Sequence, residues 1–149
     1  MITYKSSMPE ITIKYKKGDF KKVKITQSKD AYELFKELFN QDTIEYTEES
    51  VVLFFNRMNI TIGFIKLSSG GMVGTVVDKR VVMSLALSCG ATSIMLAHNH
   101  PSGNLKASNT DIQISKQLKE AGKLLEIDVL DHLILTTEGY YSMADEGVF

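Results

Sequence analysis

His98 and His100 stand two residues apart at the end of an apolar run, residues 93–98, and Pro101 follows them. If that run is a strand, its period of two sends both imidazoles to one face. Their Cα atoms are then about 6.6 Å apart, close enough for both rings to reach one ion, while Asn99 points the other way. Asp111 falls in the first turn of the helix that Ser108 opens, where the helix dipole favours a carboxylate, and it can supply an oxygen as a third ligand. Two histidines and one carboxylate leave a coordination position for water, which is the arrangement of a catalytic zinc site rather than a structural one. Ser108, three residues before Asp111, shares its helical face and brings a hydroxyl close to whatever the metal polarises. Such a site also needs a base. Glu48 and Glu49, just before the apolar run 51–55, are the carboxylates best placed to take a proton from water and hand it to a leaving amine.

Plainer readings compete with these. Two strand histidines can be hydrogen-bonded core groups, and Ser108 with Asp111 can be a capping pair. Both readings must hold together to remove the site, and capping is compatible with ligation. The contiguous His98, Asn99 and His100 do not make an HNH nuclease, whose residues are scattered along a ββα unit. Metal-activated water can attack a phosphodiester as well as an amide, but only Lys106 offers a cation near the motif. His132, beside Asp131 on an apolar run, reads as a hydrogen-bonded core group, with support of the ligands as the alternative. Gly70, Gly71 and Gly74 lack the Lys-Ser/Thr of a phosphate loop and read as turn residues, and Cys89 as core.

The elements that must position these groups follow from periodicity. Residues 10–15 alternate polar and apolar side chains, and after Lys17, Gly18 and Asp19 the pair Val23 and Ile25 resumes the alternation, the pattern of a β-hairpin with a lysine-rich outer face. Ser28 is a candidate N-cap for a helix whose stripe is Ala31, Leu34, Phe35, Leu38 and Phe39. Residues 51–55 read as a buried strand and 60–67 as its antiparallel return, joined by a turn at 56–59 and ended by 68–71. Asp78 caps a helix through Val82, Leu85 and Ala86 that Gly90 closes, and the histidine strand follows. Ser108 starts a long amphipathic helix through Ile112, Ser115, Leu118 and Ala121 to about Leu125; strands at 127–135 and 140–143 complete the chain. The sum is an α/β fold, a mixed β-sheet flanked by helices. Residues 1–46 are expected to form a hairpin and helix packed on a core domain of 47–149.

At 149 residues and 44% hydrophobic content the chain suits one domain with one ordinary core, so a multidomain enzyme is not expected. Its 17 basic and 18 acidic residues nearly balance, but eight of the lysines lie in the first 29 residues against two acids there. That front is a candidate nucleic-acid or acidic-partner surface, although a solvated strand face that discourages edge pairing is the commoner reason for such lysines. A single cysteine and the lack of a signal-like start point to a cytoplasmic protein, and no apolar run reaches the ~20 residues of a membrane span.

The pattern Glu49, His98-x-His100-Pro101, Ser108-x-x-Asp111 resembles the signature of the JAMM (JAB/MPN) metalloproteases. With Ser102, Gly103 and Asn104 after it, and with Asp131, His132 and Tyr140, Tyr141, Ser142 downstream, it is similar to the RadC-like branch of that superfamily over about Thr47 to the C-terminus. The resemblance implies a cytidine-deaminase-like α/β fold, Zn²⁺ on His98, His100 and Asp111, Glu49 as general base, and Ser108 as support for an oxyanion. It also implies hydrolysis of a peptide, isopeptide or related amide in a peptide or protein substrate. Full-length members of that branch begin with a helix–hairpin–helix region associated with DNA, which residues 1–46 do not resemble, so the DNA-repair link in the family's history carries little weight here.

Overall fold

The computed structural model describes residues 8–16, 18–19, 21–67 and 77–149. Helix α1 (Ser28–Leu38) precedes an antiparallel pair, β1 (Ser50–Phe55) and β2 (Thr61–Lys66). Helix α2 (Lys79–Ser88), strand β3 (Ser93–Asn99), helix α3 (Asn109–Leu124), β4 (Asp128–Leu135) and the short β5 (Tyr140–Ser142) follow. The five strands form one mixed sheet in the order β2-β1-β3-β4-β5, in which only β3 and β4 run parallel. A parallel pair requires a crossover, and α3 supplies it, so the helix that carries Asp111 is fixed directly behind the strand that carries the histidines.

Helices cover both faces of the sheet. One face packs Ala31, Leu34 and Phe35 of α1 on Val51, Leu53 and Phe55 of β1 with Met95 and Ala97 of β3; the other packs Val82, Met83 and Ala86 of α2 and Leu118 of α3 on Val52, Phe54, Ile94 and Leu96. This is why the run 51–55 is apolar without alternation: β1 is buried on both sides. Each fully buried side chain of the size of Phe35 or Phe55 contributes about 1.5–3 kcal/mol. Asp78 caps α2 by accepting from Arg80 N at 2.9 Å, and Gly90, at φ 68°, follows its C-cap. Cys89 packs, half-buried, against the α2 side of the core. No helix among the described residues is long and apolar enough to cross a membrane.

The front of the chain departs from the expected hairpin. Residues 8–16 belong to no ladder, and Ile11, Ile13 and Tyr15 are exposed, Ile11 to 93%. Val23 and Ile25 instead bracket a single bridge between Lys24 and Ile60, with Ile25 N donating to Asn59 O and Thr61 N to Val23 O, both at 2.9 Å. Alternation makes a strand only where an edge and a core receive it. The β1–β2 turn offers both to Ile25, which is 5% exposed. The N-cap of α1 is also one residue earlier, at Gln27. The Asp30 carboxylate reaches back to Thr26 N and Gln27 N, and Ser28 Oγ turns instead to Asp145 and Tyr140 at the far end of the chain. Lys17 and the glycine-rich turn expected at 68–71 and Gly74 lie outside the described residues.

Gly122, inside α3, answers to a packing demand. A Cβ there would stand 2.2 Å from Ile127 O, because the chain folds back so tightly that Ile127 N donates to Gly122 O at 2.7 Å. Gly122→Ala would gain about 1 kcal/mol of helix propensity and lose about 3 kcal/mol in forcing α3 off β4. A net loss of about 2 kcal/mol is expected, read as a melting temperature lower by about 5–8 °C. A rise would show that propensity governs the site.

Candidate metal centre

His98, next to last in β3, stands opposite Ser50 of β1, and His100 N donates to Leu135 O of β4 at 2.9 Å, so the two histidines are held by the strands on either side. Beyond them the chain turns at Gly103, whose φ of 81° suits glycine, and enters α3 through a reciprocal cap. Asp111 N donates to Ser108 Oγ at 3.1 Å, and Ser108 N donates to Asp111 Oδ2 at 2.8 Å. The capping reading is therefore correct, and the same carboxylate also meets the histidines. Asp111 Oδ1 lies 3.3 Å from His98 Nε2, and its Oδ2 lies 3.5 Å from His100 Nε2.

The two imidazoles meet at Nε2, 2.7 Å apart. His100 Nδ1 sits 2.6 Å from Asn104 O, a carbonyl that can only accept, so Nδ1 carries a hydrogen and, in the neutral ring, Nε2 presents a lone pair. That lone pair faces a second ring nitrogen and a carboxylate. Such a convergence of acceptors is stable only around a cation or a shared proton. A tetrahedral site with bonds of about 2.0–2.1 Å has edges of about 3.3 Å between donor atoms. The Asp111 oxygens already stand at that spacing from the two nitrogens. Glu48 Oε1, 3.9 Å from His98 Nε2, stands outside it, although one atom each of Glu48, His98 and His100 lie within 4.8 Å of one another. His98, His100 and Asp111, with Glu48 beside them, can thus hold a divalent metal.

Electrostatics agree with this set. Burial would raise the Asp111 carboxyl, but the His100 and His98 rings, which donate to it from Nε2 when a proton sits there, outweigh burial and hold the group well below the usual carboxylate range. Burial would lower His100; the Asp111 hydrogen bond, the Asn104 carbonyl and the charges of Asp111 and Glu48 overcome that and raise it. His132 is enclosed, and burial, with the neighbouring His98, pushes it well below its ordinary value, so it is neutral.

Of the two glutamates, Glu48 is the one brought to the histidines. Ser50 and His98 are cross-strand partners and share a face, so alternation returns Glu48 to that face and sends Glu49 to the other. Glu49 is held there through its backbone, its N–H donating to Asn99 Oδ1 at 2.7 Å and its carbonyl accepting from Asn99 N. Asn99 Nδ2 also donates to Ile44 O and Thr47 O at 2.7 and 2.8 Å, so this one buried amide fixes the segment that delivers Glu48. Its anchoring part was not read from the sequence; the period of two, which turned it away from the ion, was the available signal. Ser115 was read as one more member of an amphipathic stripe, yet it is buried and bonded to His132. Glu48, Ser108, both histidines and Asp111 line a cleft of about 660 Å³ that opens between Tyr46, Val77, Pro101 and Ile114, with Lys106 as the basic residue among its described walls.

A three-layer α/β fold with this centre at the end of its histidine strand defines the class, and comparison with known proteins agrees. Residues 25–148 match the RadC-like JAB domain, so the chain belongs to the RadC-like JAB domain family. The match begins before α1, whose buried face shares one core with β1, β3 and β4. The chain is 48% identical over 126 residues to a UPF0758 protein of Flavobacterium johnsoniae, covering 85% of this chain and 54% of that protein. It is 37% identical over 128 residues to a UPF0758 protein of Staphylococcus carnosus (86% and 55%), and 35% over 126 residues to one of Methanosarcina mazei (85% and 54%). The chain spans about half the length of these curated relatives.

Proposed function

We propose that the chain is a zinc-dependent hydrolase of JAMM type that cleaves a peptide, isopeptide or related amide bond. The observation that carries this reading is the meeting of two imidazole nitrogens and the Asp111 carboxylate at the floor of an open cleft, with a further carboxylate beside them. When bound by His98, His100 and Asp111, zinc supplies a Lewis acid and makes water acidic enough to deprotonate near neutral pH. Glu48, in the role that the family resemblance gives to Glu49, takes the proton of the attacking water and returns it to the leaving nitrogen. Ser108 spends a lone pair on the Asp111 N–H, which leaves its hydroxyl hydrogen to donate to the oxyanion that develops on the carbonyl. A phosphodiester would bring a charge that only Lys106 is present to meet among the described walls, which favours a neutral amide.

The test is a panel of fluorogenic peptide and isopeptide substrates with zinc-loaded protein. Turnover should fall at least about 100-fold on removal of the metal by chelator and return with zinc. Amide hydrolysis indifferent to chelation, or cleavage of nucleic acid alone, would overturn the reading.

A further inference from the structure

We propose that His132 and Ser115 are positioning residues that dictate which nitrogen of His98 faces the metal and tie that ring to Asp111 through the protein interior. The inference rests on the reading of His98 and Asp111 as ligands, and it concerns two residues outside that ligand set, of which the buried His132 also borders the cleft.

The direction of every hydrogen bond follows from one end. Ser115 Oγ stands 2.8 Å from Asp111 O, and a carbonyl can only accept, so the hydroxyl hydrogen is used there. Ser115 Oγ is also 2.5 Å from His132 Nδ1, and with its hydrogen committed it must accept, which places the His132 hydrogen on Nδ1. Met143 Sδ, 3.4 Å away, competes only weakly for the hydroxyl, and a hydroxyl turned to sulfur still accepts from His132. A neutral imidazole has one N–H, so His132 Nε2 is bare and accepts from His98 Nδ1 at 2.7 Å. His98 is then left with a bare Nε2, the atom that meets His100 Nε2 and Asp111 Oδ1. The relay is buried: His132 and Ser115 are 2% and 1% exposed, and no buried polar side-chain atom among the described residues lacks a partner.

The relay joins elements far apart in sequence. His98 belongs to β3, His132 to the adjacent β4 and Ser115 to α3, one turn after Asp111. Two ligands on different elements are therefore set by one chain of three hydrogen bonds. Without it, the His98 ring can turn about its Cβ–Cγ bond and present either nitrogen, protonated or bare.

The experiment measures zinc affinity of the full chain by competition with a chromophoric chelator. Ser115→Ala should weaken binding about tenfold, His132→Phe about 10–100-fold, and Ser115→Thr, which keeps the hydroxyl, should restore near-native affinity. A role in packing alone predicts the reverse order for Ser115, since alanine fits the space and threonine overfills it. Native affinity in folded Ser115→Ala and His132→Phe would overturn the proposal. Long-range proton–nitrogen spectra of the unaltered chain give a reading that needs no variant: His132 should carry its hydrogen on Nδ1, with or without zinc. The opposite tautomer overturns the relay. Zinc uptake without amide hydrolysis would count against the proposed function and leave the relay standing. Failure to take up zinc would count against the metal centre, and the His132 tautomer would still decide whether the relay exists.

Discussion

Protein purified without chelator is expected to carry close to one zinc per chain, and the double variant His98→Ala with His100→Ala to carry none. Four-ligand zinc sites in small domains bind with about 10–16 kcal/mol, or about 3–4 kcal/mol per ligand. Losing two imidazoles should therefore cost about four to six orders of magnitude in affinity. A second readout follows by mass action, since zinc at 100 to 1,000 times its dissociation constant stabilises a fold by about 2.7–4.1 kcal/mol. The native chain should melt about 8–15 °C higher with zinc than after chelation, and the variant should melt at one temperature in both conditions. Stoichiometric zinc in the variant would move the site elsewhere in the molecule. Absence of uptake by the native chain would remove the metal centre, and with it the hydrolytic reading. The nitrogens and carboxylate that meet at His98, His100 and Asp111 need either a cation or a shared proton between them, and zinc uptake decides which.

What the sequence discloses of this site is what local periodicity controls. The two-residue spacing of His98 and His100 on β3 and the three-residue spacing of Ser108 and Asp111 at the start of α3 are set by elements a few residues long, and they were legible. The choice between Glu48 and Glu49 depends on the phase of β1 relative to β3. The run 51–55 is apolar at every position because β1 is covered on both faces, so it carries no phase. Only the pairing of Ser50 with His98 supplies it. Ser115 was hidden for a related reason: a small polar residue on a helical stripe looks like any other member until β4 brings His132 against it. The opposite error occurred at residues 10–15, where a clear alternation exists but no sheet edge or core receives Ile11 and Ile13. Patterning states which face is apolar, whereas long-range pairing decides whether that face is used.

Glu48→Gln should keep the metal and lose turnover, and Glu49→Gln should change neither by more than about threefold. The amide of glutamine preserves the volume and the hydrogen-bonding reach of Glu48 but cannot take a proton, so the loss expected is that of a general base, about 10²–10⁴ in kcat. Metal content separates this from a ligand's role, since one atom each of Glu48, His98 and His100 also lie within 4.8 Å of one another. Asp111 Oδ1 stands 3.3 Å from His98 Nε2, the edge of a zinc tetrahedron, whereas Glu48 Oε1 stands at 3.9 Å. Loss of zinc in Glu48→Gln would make Glu48 a ligand and demote Asp111 to a cap that merely touches the histidines. Full activity in Glu48→Gln with loss in Glu49→Gln would mean that the 44–49 segment, pinned through Asn99, shifts by one residue when substrate binds. That shift would break the bonds from Asn99 Nδ2 to Ile44 O and Thr47 O. Asn99→Ala, which removes those bonds, should then raise activity, whereas with Glu48 as the base it should lower it.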